Sequence, residues 1–277
     1  MTTDPGQYPA LVQRPPLDVE HLRRVLTGTP ELVFYTGIDV IESTGSTNAD
    51  LIARAGDPDI DRVVLVAEAQ ESGRGRLARA WAGPPRAQIA LSLLVRPEGL
   101  NPEALGWLPL LTGIAAVDAI TTTAGVPAAL KWPNDVLIEG RKVAGILAEV
   151  AAAGPRPAVV VGIGMNVSLT ADELPVPHAT SLLLSGATDI DRARLVLSFL
   201  TEFARRYARW QESGWAAEAL ADAYRERCAT LGSRVRAELP GGGVLTGIAR
   251  DIDSAGRLLI EDRAVAAGDV THLRPGD

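Results

Sequence analysis

Lys131 and Lys142 are the only lysines of this 277-residue chain, whose other basic residues, 25 of 27, are arginines. Both lie in KWPNDVLIEGRKVAGILAEV, residues 131–150, a stretch whose turns and apolar runs predict a β-hairpin. A compact, mobile ammonium kept where arginine serves everywhere else points to a crowded oxygen-rich centre that a broad guanidinium does not fit. Two solvated hairpin lysines are the plainer alternative. A second chemical stretch is AQESGRGRLARAW, residues 69–81, where Gly73 and Gly75 alternate with Arg74 and Arg76, and Arg79 adds a third cation. Glycine lets backbone approach a ligand closely and arginine offers forked donors, which suits a phosphate or carboxylate, although a solvated turn has the same composition. Ser46, Thr47 and Asn48 form a polar triplet at a predicted helix start, where capping is the simplest role. Gly162 and Gly164, with Asn166 beyond them, relieve a valine-rich strand so that a ligand or another backbone can come close.

Taken together, these pieces describe a site for a small acid and a polyphosphate. Joining a carboxylate to the α-phosphate of ATP brings two anions together, so cations must neutralise both and hold them in line. The acyl-adenylate so formed must be kept from water, a task for a glycine-hinged lid such as the GRGR segment. No covalent nucleophile is in evidence. The chain has no G-x-S-x-G elbow and no G-x-x-x-x-G-K-[ST] loop, and the glycines at 162 and 164 are not followed by the helix start that a dinucleotide fingerprint needs.

The elements that must position these residues are α+β. Residues 1–16, with four prolines, read as a mobile arm. Asp18 caps a short helix, with Leu17 stapled to Leu22, and 32–41 reads as a strand. Further strands are expected at 63–68, 89–95, 130–132, 136–138, 143–150 and 158–167, with an apolar helix over 102–125 that Pro109 kinks. The result is a mixed, mostly antiparallel sheet with helices before and between its strands. Residues 191–212 form an amphipathic helix whose apolar stripe runs from Val196 to Trp210, with Arg192, Arg205, Arg206 and Arg209 off it, and 215–230 form a second helix. Short strands from 231 to 277 make a small β-domain that needs the main domain, 17–230, for its core.

Composition narrows the function classes. A net charge of −7 disfavours general nucleic-acid binding. No uninterrupted apolar run reaches the ~18 residues of a membrane span, and the opening residues lack the order of a secretory signal, so a cytoplasmic protein is expected. One cysteine, Cys228, and three scattered histidines, His21, His178 and His272, build neither a disulfide nor a metal-ligand cluster.

Four motifs, in this order, resemble biotin protein ligases: STN at Ser46–Asn48, Q-x-x-G-R-G-R at Gln70–Arg76, K-W-P-N-D at Lys131–Asp135 with R-K-x-A-G at Arg141–Gly145, and G-x-G-x-N at Gly162–Asn166. The resemblance implies a class II synthetase-like catalytic domain and a small C-terminal SH3-like β-barrel. It implies adenylation of biotin to biotinyl-5′-AMP with ATP and Mg²⁺, then transfer to a lysine on a biotin carboxyl carrier domain of an acyl-CoA carboxylase. By the same resemblance, biotin contacts Ser46, Thr47, Asn48, Gln70, Gly73, Gly145 and Gly162, and Arg74, Gly75 and Arg76 close over it. Lys142, Arg74 and Arg76 would be the catalytic cations, Lys142 touching the biotin carboxylate and the α-phosphate. Arg79, Trp81, Lys131, Asn134 and Asn166 would serve the nucleotide, and Asp135 would position Lys131 or Mg²⁺. Lipoate or octanoate ligases share the implied fold and differ in the acid bound, and a biotin-sensing binding module is the non-enzymatic rival. Ala78 departs from the pattern, since many relatives have glycine before the last arginine, which makes the end of the loop stiffer. Relatives that act as repressors carry an N-terminal winged helix-turn-helix; the segment before Ser46 is too short for one, so a ligase without DNA binding is expected, as a monomer or weak homodimer.

Overall fold

In a computed structural model, the protein is described for residues 13–239, 242–266 and 269–273. Seven strands, β1 (Gly37–Ile41), β2 (Val63–Ala67), β3 (Gln88–Val95), β4 (Ala129–Lys131), β5 (Asp135–Ile138), β6 (Arg141–Ala152) and β7 (Ala158–Asn166), form one sheet in the order β1-β2-β3-β7-β6-β5-β4. Only β1 and β2 run parallel; every other pair is antiparallel. Central strands this apolar have both faces covered. On one face Val64, Val66, Leu91, Leu93, Val159 and Val161 enter the main core. On the other, Leu65, Leu94, Ala158 and Val160 meet Leu51 of the short helix α2 (Thr47–Arg54) and Ala55, which caps it, whereas α1 (Val19–Gly28) belongs to the first face.

The first face is covered by α3 (Trp107–Ala119), backed by α4 (Arg192–Glu212) and α5 (Glu218–Arg227). Because α3 lies between the sheet and other helices it is apolar on nearly every side. Its segment Pro102–Ala124 is the one stretch among the described residues long and apolar enough to cross a membrane, and it is mostly buried inside the protein. Pro109 falls in the first turn of α3, where a missing N–H costs no hydrogen bond, so the expected interior kink has no cause.

Five expectations need correction, two of them near the N-terminus. Of the arm at 1–16, residues 1–12 lie outside the described residues, but Arg14 is clasped by Glu173 through two bonds of 3.1 and 2.5 Å. The strand expected at 32–41 begins only at Gly37, because Pro30 starts a 3₁₀ turn over Pro30–Phe34. Arg192, expected off the apolar stripe, is buried and donates to Glu68 Oε2 at 2.5 Å and to the carbonyl of Pro15 at 2.6 Å. Arg206 likewise turns inward to Asp118, which Arg227 also reaches, so one carboxylate ties α3, α4 and α5 together. The helix expected over 215–230 is shorter, Glu218–Arg227.

A second sheet holds β8 (Arg234–Glu238), β9 (Val244–Ile252), β10 (Leu258–Ile260), β11 (Arg263–Val265) and β12 (Asp269–His272), ordered β11-β10-β9-β8-β12. Among the described residues no ladder closes β11 onto β12. Its β9–β10 turn docks on the main domain: Trp107 Nε1 donates to the Ser254 carbonyl at 2.9 Å and Trp132 Nε1 to that of Gly256 at 3.1 Å. Gly106 is needed there, since a Cβ would stand 2.5 Å from the Ala255 oxygen.

Opposite that face, Arg96 ends α2. Its guanidinium donates to the carbonyls of Ala55 and Asp57 at 2.8 Å and Ile60 at 2.9 Å, satisfying the acceptor at the helix end and two in the turn that follows. Replacing Arg96 with Met should lower stability by about 3 kcal/mol, because several buried carbonyls lose charge-assisted partners. Thermal unfolding checks this, and a midpoint unchanged from wild type would remove Arg96 as the anchor of α2.

Candidate functional site

Ser46 caps α2, its Oγ accepting from the Ala49 N–H at 3.4 Å, so Thr47 and Asn48 fall in the first turn, facing the sheet and buried. There they enter a run of hydrogen bonds. The Thr47 N–H donates to Gln70 Oε1 at 2.9 Å, and Thr47 Oγ1 lies 2.7 Å from Ser92 Oγ. Ser92 donates to Asn48 Oδ1 at 2.6 Å, and Asn48 Nδ2 donates to Glu149 Oε2 at 2.7 Å and the Leu147 carbonyl at 3.2 Å. A backbone donor on Gln70 Oε1 leaves its NH₂ group turned the other way, toward Gly73, where a Cβ would stand 2.7 Å from it.

On this face three of four facing positions of β6 and β7 are glycine. Gly145 pairs with Gly164 and Leu147 with Gly162. A Cβ on Gly162 would stand 2.1 Å from Asn48 Oδ1; on Gly164, 2.3 Å from the Trp81 ring; on Gly145, 3.0 Å from Lys142 Nζ. The trough therefore exists because these positions are bare. Trp81 lies across it with Nε1 buried and unpartnered, leaving a cavity of about 40 Å³. Ser46, Gln70, Arg74, Gly75, Asn134 and Lys142 complete its walls.

The glycine–arginine loop is closed on itself. Gly75 N–H donates to the Arg79 carbonyl and Trp81 N–H to that of Gly73, both at 2.8 Å, with Arg74 bridged to Ala80. At its tip Leu77 and Ala78 both have φ 55°, and Leu77 is 71% exposed. A left-handed backbone costs a residue with a Cβ about 1 kcal/mol, so an alanine at 78 carries a penalty that glycine would not. Gly73 is buried under the loop, Arg76 reaches Asn134 Oδ1 at 3.4 Å, and Arg79 is on the exposed outer limb.

Lys142 pairs with Asp135 at 2.6 Å and lies 5.7 Å from the centre of the Trp81 ring. Its backbone is fixed on both sides, donating to the His178 carbonyl at 2.9 Å and accepting from Thr180 at 2.8 Å. Asp135, expected beside Lys131 or a metal, is thus engaged by Lys142. Among the described residues no three His, Cys, Asp or Glu stand together as a ready-made ion cage; Mg²⁺ in nucleotide sites is held by one or two carboxylates together with substrate phosphates and water. Lys131 is opposite Asp135 across β4 and β5 but outside the small cavity. Asn166 is buried, accepting from Gln88 at 2.9 Å and donating to the Thr180 carbonyl at 2.9 Å, and it too is outside the cavity. A wider cleft of about 650 Å³ adjoins, sharing Asn134, Ile146 and Leu147 with the cavity and reaching Arg76, Trp132 and Arg257.

Ser92 and Glu149 escaped the sequence reading. Ser92 left a signal, as the one polar residue within Ile89–Val95; Glu149 left none, because only the register of β6 turns it toward Asn48.

Residues 39–166 match the Biotin/lipoate A/B protein ligase family, and 230–273 match the Biotin protein ligase C terminal domain. The chain is 49% identical to the biotin–[acetyl-CoA-carboxylase] ligase of Mycobacterium tuberculosis, over 94% of this chain and 97% of that one. It is 29% identical to the bifunctional ligase/repressor BirA of Escherichia coli, over 82% of this chain and 70% of that protein. The structure of Aquifex aeolicus biotin protein ligase in complex with biotin and ATP is similar at a TM-score of 0.72 and 27% identity, covering 87% of this chain and all of that one. With a family model on each of its two sheets and a close relative along nearly its whole length, the chain belongs to the biotin protein ligases.

Proposed function

We propose that the chain adenylates biotin with ATP and transfers the biotinyl group to a lysine of a biotin carboxyl carrier domain of an acyl-CoA carboxylase. The observation that carries this reading is the glycine-floored trough beside Lys142, which opens on a wider cleft at Asn134. The trough takes the fused rings of biotin once Trp81 turns out of it, since the ~40 Å³ left beside the indole is too small for them, with Thr47, Asn48 and Gln70 as short polar partners and Ser46 at the rim. The cleft takes the nucleotide, with Asn134 and Arg76 beside it and Trp81 between it and the trough floor, and the carboxylate meets the α-phosphate near Lys142. The M. tuberculosis relative is named for this reaction, and the Aquifex ligase was solved with both substrates.

In the first step the biotin carboxylate oxygen attacks the α-phosphorus, forming the mixed anhydride as the bond to pyrophosphate breaks. Lys142, Arg74 and Arg76 oppose the charge crowded on the reacting oxygens, and the loop over 73–79 keeps water from the product. In the second, the neutral amine of the carrier lysine attacks the acyl carbon; AMP leaves and the amine loses its proton. The protein orients and neutralises, and forms no bond of its own. It works without DNA, which its net charge of −7 disfavours, in the cytoplasm, as a monomer or weak homodimer.

Isothermal titration with biotin, lipoate and octanoate, followed by mass spectrometry with ATP present, tests the reading. Biotin binding and biotinyl-adenylate are expected; binding without adenylate would favour a sensor, and preference for lipoate or octanoate would move the substrate. Lys142→Arg keeps the charge but not the compact shape and should slow adenylation at least about 100-fold. Adenylate formation near the wild-type rate would return Lys142 to a solvated surface role. Gly162→Ala should weaken biotin binding by about 100-fold by displacing Asn48, while Gly37→Ala, where a Cβ meets nothing within 4 Å, should leave it unchanged.

A further inference from the structure

The small β-sheet touches the segment before Asn134 at two points, and one of them contains a titratable group. Thr230 is fully buried. Its Oγ1 accepts from the Trp132 N–H at 3.0 Å and lies 3.0 Å from His272 Nε2 on β12. Two residues beyond Trp132, Asn134 donates to the Ile146 carbonyl at 3.0 Å and meets Arg76 of the loop, so it joins the cavity, the cleft and the arginines.

We propose that His272 is a positioning residue for the nucleotide side of the site, its neutral imidazole taking the Thr230 hydroxyl proton so that Oγ1 holds the Trp132 amide. The argument is one of proton count. Thr230 Oγ1 already accepts from a backbone N–H, and its own proton needs an acceptor; neutral His272, protonated on Nδ1, supplies one at Nε2. A protonated imidazole is a donor at both nitrogens, and the hydroxyl proton must turn to the weak acceptor at the Cys228 sulfur, also within its reach. Among the described residues the titratable group that acts on His272 is Lys131 on β4; Cys228 after α5 reaches the Thr230 side chain instead, and β8 places Val235 opposite the histidine. Burial, and then the Lys131 ammonium, hold the imidazole below its ordinary value, which keeps it an acceptor near neutrality. As pH falls through 6.5, its ordinary value, and on toward the lower docked value, the undocked histidine takes up its proton first. Docking therefore weakens toward acid.

The activity readout rests on the ligase reading, so the test pairs it with hydrogen exchange, which does not. Exchange protection of the Trp132 amide and the KM for ATP in adenylation are measured at about pH 8 and about pH 5.5 in wild type, Thr230→Val and His272→Gln. Glutamine can still accept from Thr230 and does not titrate. In wild type, protection should fall about tenfold at the lower pH, with KM for ATP rising and kcat at saturation changing less than about twofold. In His272→Gln both quantities should stay near their high-pH values, and in Thr230→Val the amide should be poorly protected at either pH. Equal protection in wild type and Thr230→Val, or an acid loss in His272→Gln matching that of wild type, would overturn the proposal. If no form makes adenylate, the ligase reading fails and the exchange data alone judge His272.

Discussion

The candidate site depends on five residues between α2 and the sheet, Gln70, Thr47, Ser92, Asn48 and Glu149, linked in that order by hydrogen bonds, the middle three buried and the two ends partly so. Each link fixes the next. With the Thr47 N–H on Gln70 Oε1 and the Ser92 hydroxyl on Asn48 Oδ1, both amides have one orientation, so the cavity presents a set pattern of donors and acceptors. Losing one member leaves a buried neighbour unpaired at a cost of about 1–3 kcal/mol, enough to reshape the pattern. The arrangement rests on elements far from the ligand: Arg96 holds the end of α2, and the Glu68–Arg192 pair ties the end of β2, two residues before Gln70, to α4.

Charge is arranged differently. Lys142 and Arg74 line the small cavity and Arg76 stands at the adjoining cleft, while Asp135 is bonded to Lys142 at 2.6 Å. On the proposed reading, an anion arriving at Lys142 would replace Asp135 as its partner, so the ammonium would keep a counter-charge while the pocket fills.

Much of this was legible in the residues. The three strands around KWPND, the helix start within Ser46–Asn48, the bare strand positions at Gly162 and Gly164 and the stripe of α4 all follow from local spacing, which backbone geometry converts directly into faces and turns. What was not legible depends on partners distant in the chain. Arg192 looks solvent-facing by helical period, yet meets Glu68 across 124 positions, and Asn48 finds Glu149 across 101. Asp135 sits opposite Lys131 by register, but a bulge between Val136 and Leu137 shifts Lys142 into its reach. Pro30 broke an expected strand because a residue with fixed φ and no N–H begins a turn more readily than it joins a ladder. Such outcomes belong to register and tertiary partners, which periodicity does not encode.

The scarcity of lysine has a consequence for the protein's own surface. A mixed anhydride of biotin and AMP acylates whatever free amine it meets, and a guanidinium, which stays a cation, is a poor target. Of this chain's 27 Lys and Arg residues only two can be acylated in that way, apart from the N-terminal amine, and one of them, Lys142, is engaged by Asp135. The enzyme that makes the reagent is thus almost inert toward it, and an adenylate that escapes the site finds amines chiefly on other proteins.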